Sequence, residues 1–310
     1  MTVLTLKYPV HTPDGRELLP AGVGLTGAVL AEMAAEGRKT TFPDVSLLEY
    51  GTTRRDLAVF MREGPYRTIF SHEADYAALL ALMEKTRLPV AVLESLDYFK
   101  RIDPYTYRHV LMVFALSSTI ARKMMRSVSE VLQEASAGPL HDFGKICVPV
   151  GILRKTTFLR RSERALLEHH TMAGYVLLAY YLGNFGGVAP AVALAHHERG
   201  DGSGYPRGTE LRGRLVEIVA ACDVYDALIS PRPYRSRSFD NRTALEEVTR
   251  MAEEGKLSWE VVRVLVALNR KDKPPPDDCQ VSLEKRGQAP EGNLYGIILD
   301  DEPAGSTPGR

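Results

Sequence analysis

The sequence predicts an all-α helical bundle preceded by a small N-terminal α+β module, and three observations carry that expectation. From Tyr105 to about residue 269, apolar residues recur three and four positions apart, as in Val110 to Met125, Ala165 to Leu182 and Val188 to Leu194, and no alternating strand run competes with them. Strand and hairpin signals fall near the start of the chain. After Lys271 the string KDKPPPDD forbids helix and leaves little apolar surface. The expected division is a module with a helical lead-in over residues 1–95, a main domain over 96–270, and a Pro-rich, mobile C-terminal tail over 271–310.

Taken in order, Thr2 to Val10 reads as a strand, Asp14-Gly15 as a hairpin turn, and Thr26 as the cap of a helix that stops at Gly37. Ser71 opens a helix through Lys85, and Pro89 starts another carrying Val90, Val92, Leu93, Leu96 and Phe99. Further on, Asn241 or Thr243 caps a helix reaching Glu254, and Gly255 ends it. Ser258 caps the last helix, with Val261, Val264, Leu265 and Leu268 as its apolar stripe, and Asn293 to Leu299 reads as one short strand. The stretch Thr171 to Ala195 has no Asp, Glu, Lys or Arg and is long enough for a membrane span. Asn184, Gly186, Gly187 and Pro190 interrupt it, so two buried helices joined by a turn are expected there and no membrane association.

Lys plus Arg equals Asp plus Glu at 39 each, so there is no global positive field to gather long nucleic acid, and phosphate binding must be local. Cys147, Cys222 and Cys279 form no CxxC pair, and the first residues lack the apolar region of a signal peptide. A reducing, cytoplasmic setting is expected.

The chemistry lies in the helical half, at His109, the pair His141-Asp142, His170, the pair His196-His197, and Asp223. Imidazole and carboxylate without thiolate suit iron, manganese or zinc at a hydrolytic centre and argue against a Cys-rich structural zinc site. A single helical His is more often a hydrogen-bonded core or surface residue than a ligand. The pattern changes that balance: each lies on or beside a helix facing one bundle interior, where several unpaired histidines and two buried carboxylates are costly without a metal. His11, His72 and His169 stand outside the set.

These residues sit in strings that resemble the HD-GYP branch of the HD phosphohydrolase superfamily. They are His141-Asp142-Phe143-Gly144-Lys145 with Pro149 and Ile152-Leu153-Arg154-Lys155, then Glu168-His169-His170-Thr171-Met172-Ala173-Gly174, His196-His197-Glu198-Arg199, and Asp201-Gly202-Ser203-Gly204-Tyr205-Pro206. Asp223-Val224-Tyr225-Asp226-Ala227-Leu228 with Arg232-Pro233-Tyr234-Arg235 closes the set, in family order over roughly residues 100 to 270. The resemblance implies an HD-domain type of bundle and a cytoplasmic bacterial phosphodiesterase that hydrolyses cyclic di-GMP to pGpG, GMP or both. It places metal ligands at His109, His141, Asp142, His170, His196, His197 and Asp223, with Asp142 bridging two divalent ions, iron or manganese. His170 matches the ligand, four residues before Gly174, and His169 is expected as a surface-facing neighbour. Family members with a third metal carry a Glu one helical turn before the first ligand; Tyr105 stands there, so two ions are expected.

Phosphodiesters resist water because they are anionic and their alkoxide leaves poorly. Two ions about 3.5–4 Å apart acidify water and neutralise phosphoryl oxygens. Asp142 and Lys145 are the expected catalytic residues: Lys145, three residues on, projects from nearly the same helix face and holds a phosphate oxygen, the alternative being a surface salt bridge. The glycines from Gly200 to Gly208 allow a tight loop after two ligands, in which Tyr205 orients the loop, stacks on a base, or simply packs. Arg232 and Arg235 match positions that contact the dinucleotide, the alternative being a solvated basic turn that includes Arg237.

Three other functions compete. Cyclic GMP-AMP would change only the base-edge contacts. A low-turnover receptor would signal through protein contacts, and the N-terminal module is the place for a signalling partner or a homodimer contact. A general nucleotide hydrolase explains the HD pair but leaves the glycine loop and the Arg232 region without purpose.

Overall fold

The computed structural model describes residues 3–40, 42–125, 127, 131, 137–232, 235, 237–291 and 298–301. At the N-terminal end, β1 (Val10–His11) pairs antiparallel with β2 (Glu17–Leu19), Val10 opposite Leu19 and His11 opposite Glu17. The expected strand from Thr2 is thus cut short: Thr5 makes only an isolated bridge to Gly24. Pro9 has no N–H for a ladder, and its carbonyl instead accepts from His169 Nε2 at 3.3 Å. The turn at Asp14-Gly15 forms as read, with Gly15 at φ +86° and its N–H on Thr12 O. Thr26 caps α1 (Gly27–Gly37), its side chain accepting from Val29 N.

A second antiparallel pair, β3 (Asp44–Ser46) with β4 (Arg87–Pro89), was not expected. Three residues are too few to show alternation. Between and after them lie α2 (Thr53–Phe60), α3 (Tyr66–Ile69), α4 (Glu73–Glu84) and α5 (Val90–Ile102). The helix expected from Ser71 begins two residues later, because the Ser71 hydroxyl is donated back to Thr68 O.

The bundle is built around α6 (Pro104–Met124), capped by Asp103 with Pro104 in its first turn and buried on every side from His109 to Ala121. It packs on α5 and α11 (Arg214–Ile229). A second pair, α9 (His170–Tyr181) and α10 (Val188–Ala195), packs on α1 and on the 3-10 turn Phe143–Cys147. The periodic run from Ala165 to Leu182 is two helices, α8 (Arg161–Glu168) and α9, broken at His169. The cause is local: His170 Nδ1 takes Leu167 O at 2.6 Å and Thr171 Oγ1 takes Glu168 O at 3.0 Å, carbonyls that a continuous helix would use itself. The short α7 (Val150–Leu153) precedes them.

The bundle closes with α12 (Asn241–Glu253) and α13 (Trp259–Leu268). Asp240, rather than Asn241 or Thr243, caps α12 through Thr243 N, while the Asn241 amide is engaged with Tyr225 and Asn269. Beyond it, Lys273 donates to Ile69 O at 2.7 Å, Cys279 is buried, and Gly287 N donates to Glu246 at 2.8 Å. β6 (Ile298–Leu299) pairs in parallel with β5 (Leu159–Arg160); residues 293–297 of the expected last strand lie outside the described residues. Among the described residues no helix is long and apolar enough to cross a membrane.

Candidate metal centre

All seven predicted ligands meet at one point. His109 comes from the second turn of α6 and Asp223 from α11; His170 opens α9; His196 and His197 close α10; His141 and Asp142 sit in the turn leading into Phe143–Cys147. Gly144 lets that turn reach α9: a Cβ there would stand 1.9 Å from His170 O and 2.4 Å from Gly174 N.

Asp142, buried, divides the histidines into two pairs. Its Oδ1 lies 3.4 Å from His170 Nε2 and 3.8 Å from His196 Nε2; its Oδ2 lies 3.4 Å from His141 Nε2 and 3.6 Å from His109 Nε2. Asp142 with His170, His196 and His197, and Asp142 with His109 and His141, are two groups whose ligand atoms lie within 4.8 Å of one another.

The donor chemistry fits divalent cations. His141, His170 and His196 each direct Nδ1 at backbone carbonyls, Gly138 O at 2.8 Å, Leu167 O at 2.6 Å, and Val192 and Ala193 O at 3.1 Å. A carbonyl only accepts, so Nδ1 carries the proton and Nε2 presents a lone pair. Yet His170 and His196 Nε2 stand 3.3 Å apart, with no proton to share, beside an Asp142 Oδ1 that has no hydrogen-bond partner. Two lone pairs and a buried anionic oxygen converging on one volume are stabilised only by a cation among them.

Burial drives the His170 imidazole down to about 4 and that of His196 to about 3, so both rings are neutral at neutral pH. Burial pushes the Asp142 carboxyl up, but Lys145 and the surrounding histidines overcome it and hold the group well below the usual carboxylate range. For Asp223 burial is likewise outweighed, here by the His109 hydrogen bond and the His197 charge. His109 differs from His170 and His196: burial and Arg232 lower it, while Asp223 at 2.9 Å and Asp226 at 2.5 Å raise it above its ordinary value.

The cluster floors a cleft of about 1310 Å³, solvent at its mouth included. Lys145 faces it from the 3-10 turn, where residues three apart eclipse, with Nζ 2.5 Å from Asp142 Oδ2. Tyr205 lies stacked on His197, ring centroids 4.6 Å apart, and the Arg164 guanidinium sits 5.4 Å from its ring centre. Arg232, with a nearly buried side chain, lines the cleft 4.0 Å from Asp226 Oδ2. Arg235 lines it too, but its Nη2 donates to Ala227, Leu228 and Ser230 O at 2.8, 2.7 and 2.9 Å. Tyr105 stands at the rim, 39% exposed.

One expectation is corrected. His169 is not surface-facing but buried, edge-on to Tyr8, because its Nε2 satisfies Pro9 O. Sequence reading also left Asp226, Glu198 and Tyr66 without a role. Asp226, three residues after Asp223 on the same face of α11, receives His109 Nδ1; the spacing was a usable signal. Glu198, buried beside the ligand pair, accepts from Arg207 N at 2.7 Å and Thr209 N at 3.2 Å and so fastens the glycine loop. Gly204 in that loop passes so near the chain that a Cβ would meet His197 O at 2.3 Å. Tyr66, which bonds Asp226 from α3, gave no signal at all.

A model of the HD domain family matches residues 50–259. Among curated proteins, a cyclic di-GMP phosphodiesterase of Thermotoga maritima is 40% identical over 185 residues, covering 58% of this chain and 49% of that protein. A cyclic di-GMP phosphodiesterase of Pseudomonas aeruginosa is 39% identical over 183 residues, 58% of this chain and 43% of the relative. The 3'3'-cGAMP-specific phosphodiesterase 3 of Vibrio cholerae is 37% identical over 137 residues, 43% of this chain and 29% of the relative. The chain thus spans about half the length, or less, of these curated relatives.

Proposed function

The chain belongs to the HD domain family, and from that premise we propose that it is a phosphodiesterase hydrolysing cyclic di-GMP to pGpG, GMP or both at two divalent ions, iron or manganese. The observation that carries this reading is Asp142, with one carboxylate oxygen turned to each of two imidazole pairs. His170, His196 and His197 would hold one ion, His109, His141 and Asp223 the other, and Asp142 both. Ions there supply Lewis-acid charge and acidify water.

The remaining work belongs to side chains. Lys145, already drawn to the anionic Asp142, has the reach and charge to bind a phosphoryl oxygen and to stabilise charge that builds on it. The fork of Arg232 suits a phosphate or a guanine edge, and Tyr205 on His197 keeps the glycine loop over the centre. Ile152, Leu153, Leu159, Leu167 and Ile298 give the cleft an apolar wall against which a nucleobase face can lie.

Cyclic GMP-AMP is the second reading, favoured by the match to a relative of that specificity. Elemental analysis of anaerobically purified protein, with product identification on both dinucleotides, tests the proposal. About two ions per chain and faster turnover of cyclic di-GMP are expected. Absence of metal removes the mechanism, a preference for the mixed dinucleotide changes the substrate, and metal with saturable binding but no turnover makes the protein a receptor.

A further inference from the structure

We propose that Tyr66 is a positioning residue for the metal centre: its phenol fixes the carboxylate of Asp226 behind His109 and so sets how firmly His109 holds a divalent ion. The inference rests on the reading that the cluster binds such ions. It names a link between the N-terminal part of the chain and the site.

Tyr66 opens α3 and is buried. Its O–H donates to Asp226 Oδ1 and lies 3.0 Å from Ser230 Oγ, which itself donates to Asp226 Oδ2 at 3.2 Å. Asp226 Oδ2 receives His109 Nδ1 at 2.5 Å. The carboxylate is therefore held from α3, from α6 and from the end of α11. An imidazole whose far nitrogen donates to a carboxylate is fixed in tautomer and orientation and becomes a better ligand at Nε2. Removing the phenol leaves Asp226 Oδ1 buried without that donor and frees the group to turn.

Two observations separate this from ordinary core packing. Tyr66 does not line the cleft, so its hydroxyl can act on the centre only through its partners Asp226 and Ser230. The residue preceding His109 is gripped by the same segment: Arg108 lies over the rings of Phe60 and Tyr66, at 4.8 and 5.6 Å, and donates to Glu63 at 2.7 Å. The turn of α6 that carries the first ligand is thus seated on residues 60–66.

The test is Mn²⁺ titration of the metal-free full chain, with free Mn²⁺ read by electron paramagnetic resonance, for wild type, Tyr66→Phe, Asp226→Asn and the double variant. Losing an outer partner of a metal-bound His typically weakens binding about 10–100-fold. Tyr66→Phe is expected near the lower end for one of the two equivalents, Asp226→Asn beyond it, and Tyr66→Phe should add nothing in the Asp226→Asn background. Unchanged affinity in Tyr66→Phe, or an equal loss in both backgrounds, overturns the proposal, since the latter marks general destabilisation. If Tyr66→Phe does not fold, 3-fluorotyrosine at position 66 keeps the ring and alters the donor; an affinity that then fails to move overturns the proposal as well. A wild type that takes up no Mn²⁺ overturns instead the metal reading beneath it.

Discussion

Replacing Arg235 by Ala is expected to weaken the fold rather than substrate handling, and the size follows from what the guanidinium holds. Its Nη2 reaches the carbonyls of Ala227, Leu228 and Ser230, where α11 ends at Ile229. Terminal carbonyls lack an intrahelical donor, and the residue four positions after Ala227 is Pro231, which has no N–H to give. One hydrogen bond from a charged group is worth about 1.5–3 kcal/mol, and three acceptors sharing one nitrogen count as about one such bond. A cation at a helix C-terminus adds about 0.3–1 kcal/mol. The expected loss in urea unfolding is therefore about 2–4 kcal/mol, the sum of those two ranges. Arg235→Lys keeps the charge without the planar fork and should recover mainly the dipole part.

Arg232→Ala should behave in the opposite way. Its side chain lines the cleft, 4.0 Å from Asp226 Oδ2. Loss of one charged hydrogen bond to the dinucleotide should lower kcat/KM on cyclic di-GMP by about tenfold or more, with bis-p-nitrophenyl phosphate hydrolysis nearly unchanged. The assay is therefore paired, denaturant midpoints beside kinetics on two substrates. An Arg235→Ala protein with the wild-type midpoint but a tenfold loss confined to cyclic di-GMP would refute the division of labour between the two arginines.

Asp142→Ala should abolish hydrolysis and lower metal content by elemental analysis, whereas Lys145→Ala should keep the metals and lose mainly kcat; a Lys145→Ala enzyme of normal rate would remove its role. Gly144→Ala forces a methyl against His170 O and Gly174 N, so an overpacking loss of about 1–3 kcal/mol is expected in urea, with weaker metal binding because His170 moves. Metal-free protein should lose stability as the pH falls from 6.5 towards about 4, since burial keeps His170 at about 4 and His196 at about 3 while the unfolded chain protonates both near 6.5. These are depressed values, so their contribution is complete above 6.5 and lost on acidification; His170 alone accounts for on the order of 3 kcal/mol, and a flat unfolding midpoint across that window would contradict it.

The clustering of the seven candidate ligands was legible because such residues are chemically rare and sit at fixed offsets in strings that survive without knowledge of the fold. Helices were legible where the apolar stripe was long, as in α6 and α13. What failed was governed by side chain to backbone bonds that periodicity does not register. His170 and Thr171 break one periodic run into α8 and α9, Asp240 takes the cap assigned to its neighbours, and Pro9 shortens a strand. Arg232 and Arg235 looked alike in the sequence because both are cations near Asp223. Both line the cleft, and only the position of the end of α11 shows that Arg235 also holds its last carbonyls.

The same distinction explains why the site needs the whole bundle. One half of the cluster, His109 with Asp223 and Asp226, is carried by α6 and α11; the other, His170 with His196 and His197, by α9 and α10. Neither pair of helices supplies Asp142, which comes from a turn seated on α9 only because Gly144 has no side chain. A carboxylate serving both halves must be rigid to within a fraction of an ångström, yet a 3-10 turn of five residues has little stiffness of its own. Rigidity therefore comes from its neighbours: Gly138 O holds the His141 ring, Phe143 is buried against Tyr181, and Lys145 closes back on Asp142. Substitutions that loosen those contacts, Phe143→Ala being the simplest, should separate the two halves functionally, leaving one ion bound per chain and hydrolysis lost together.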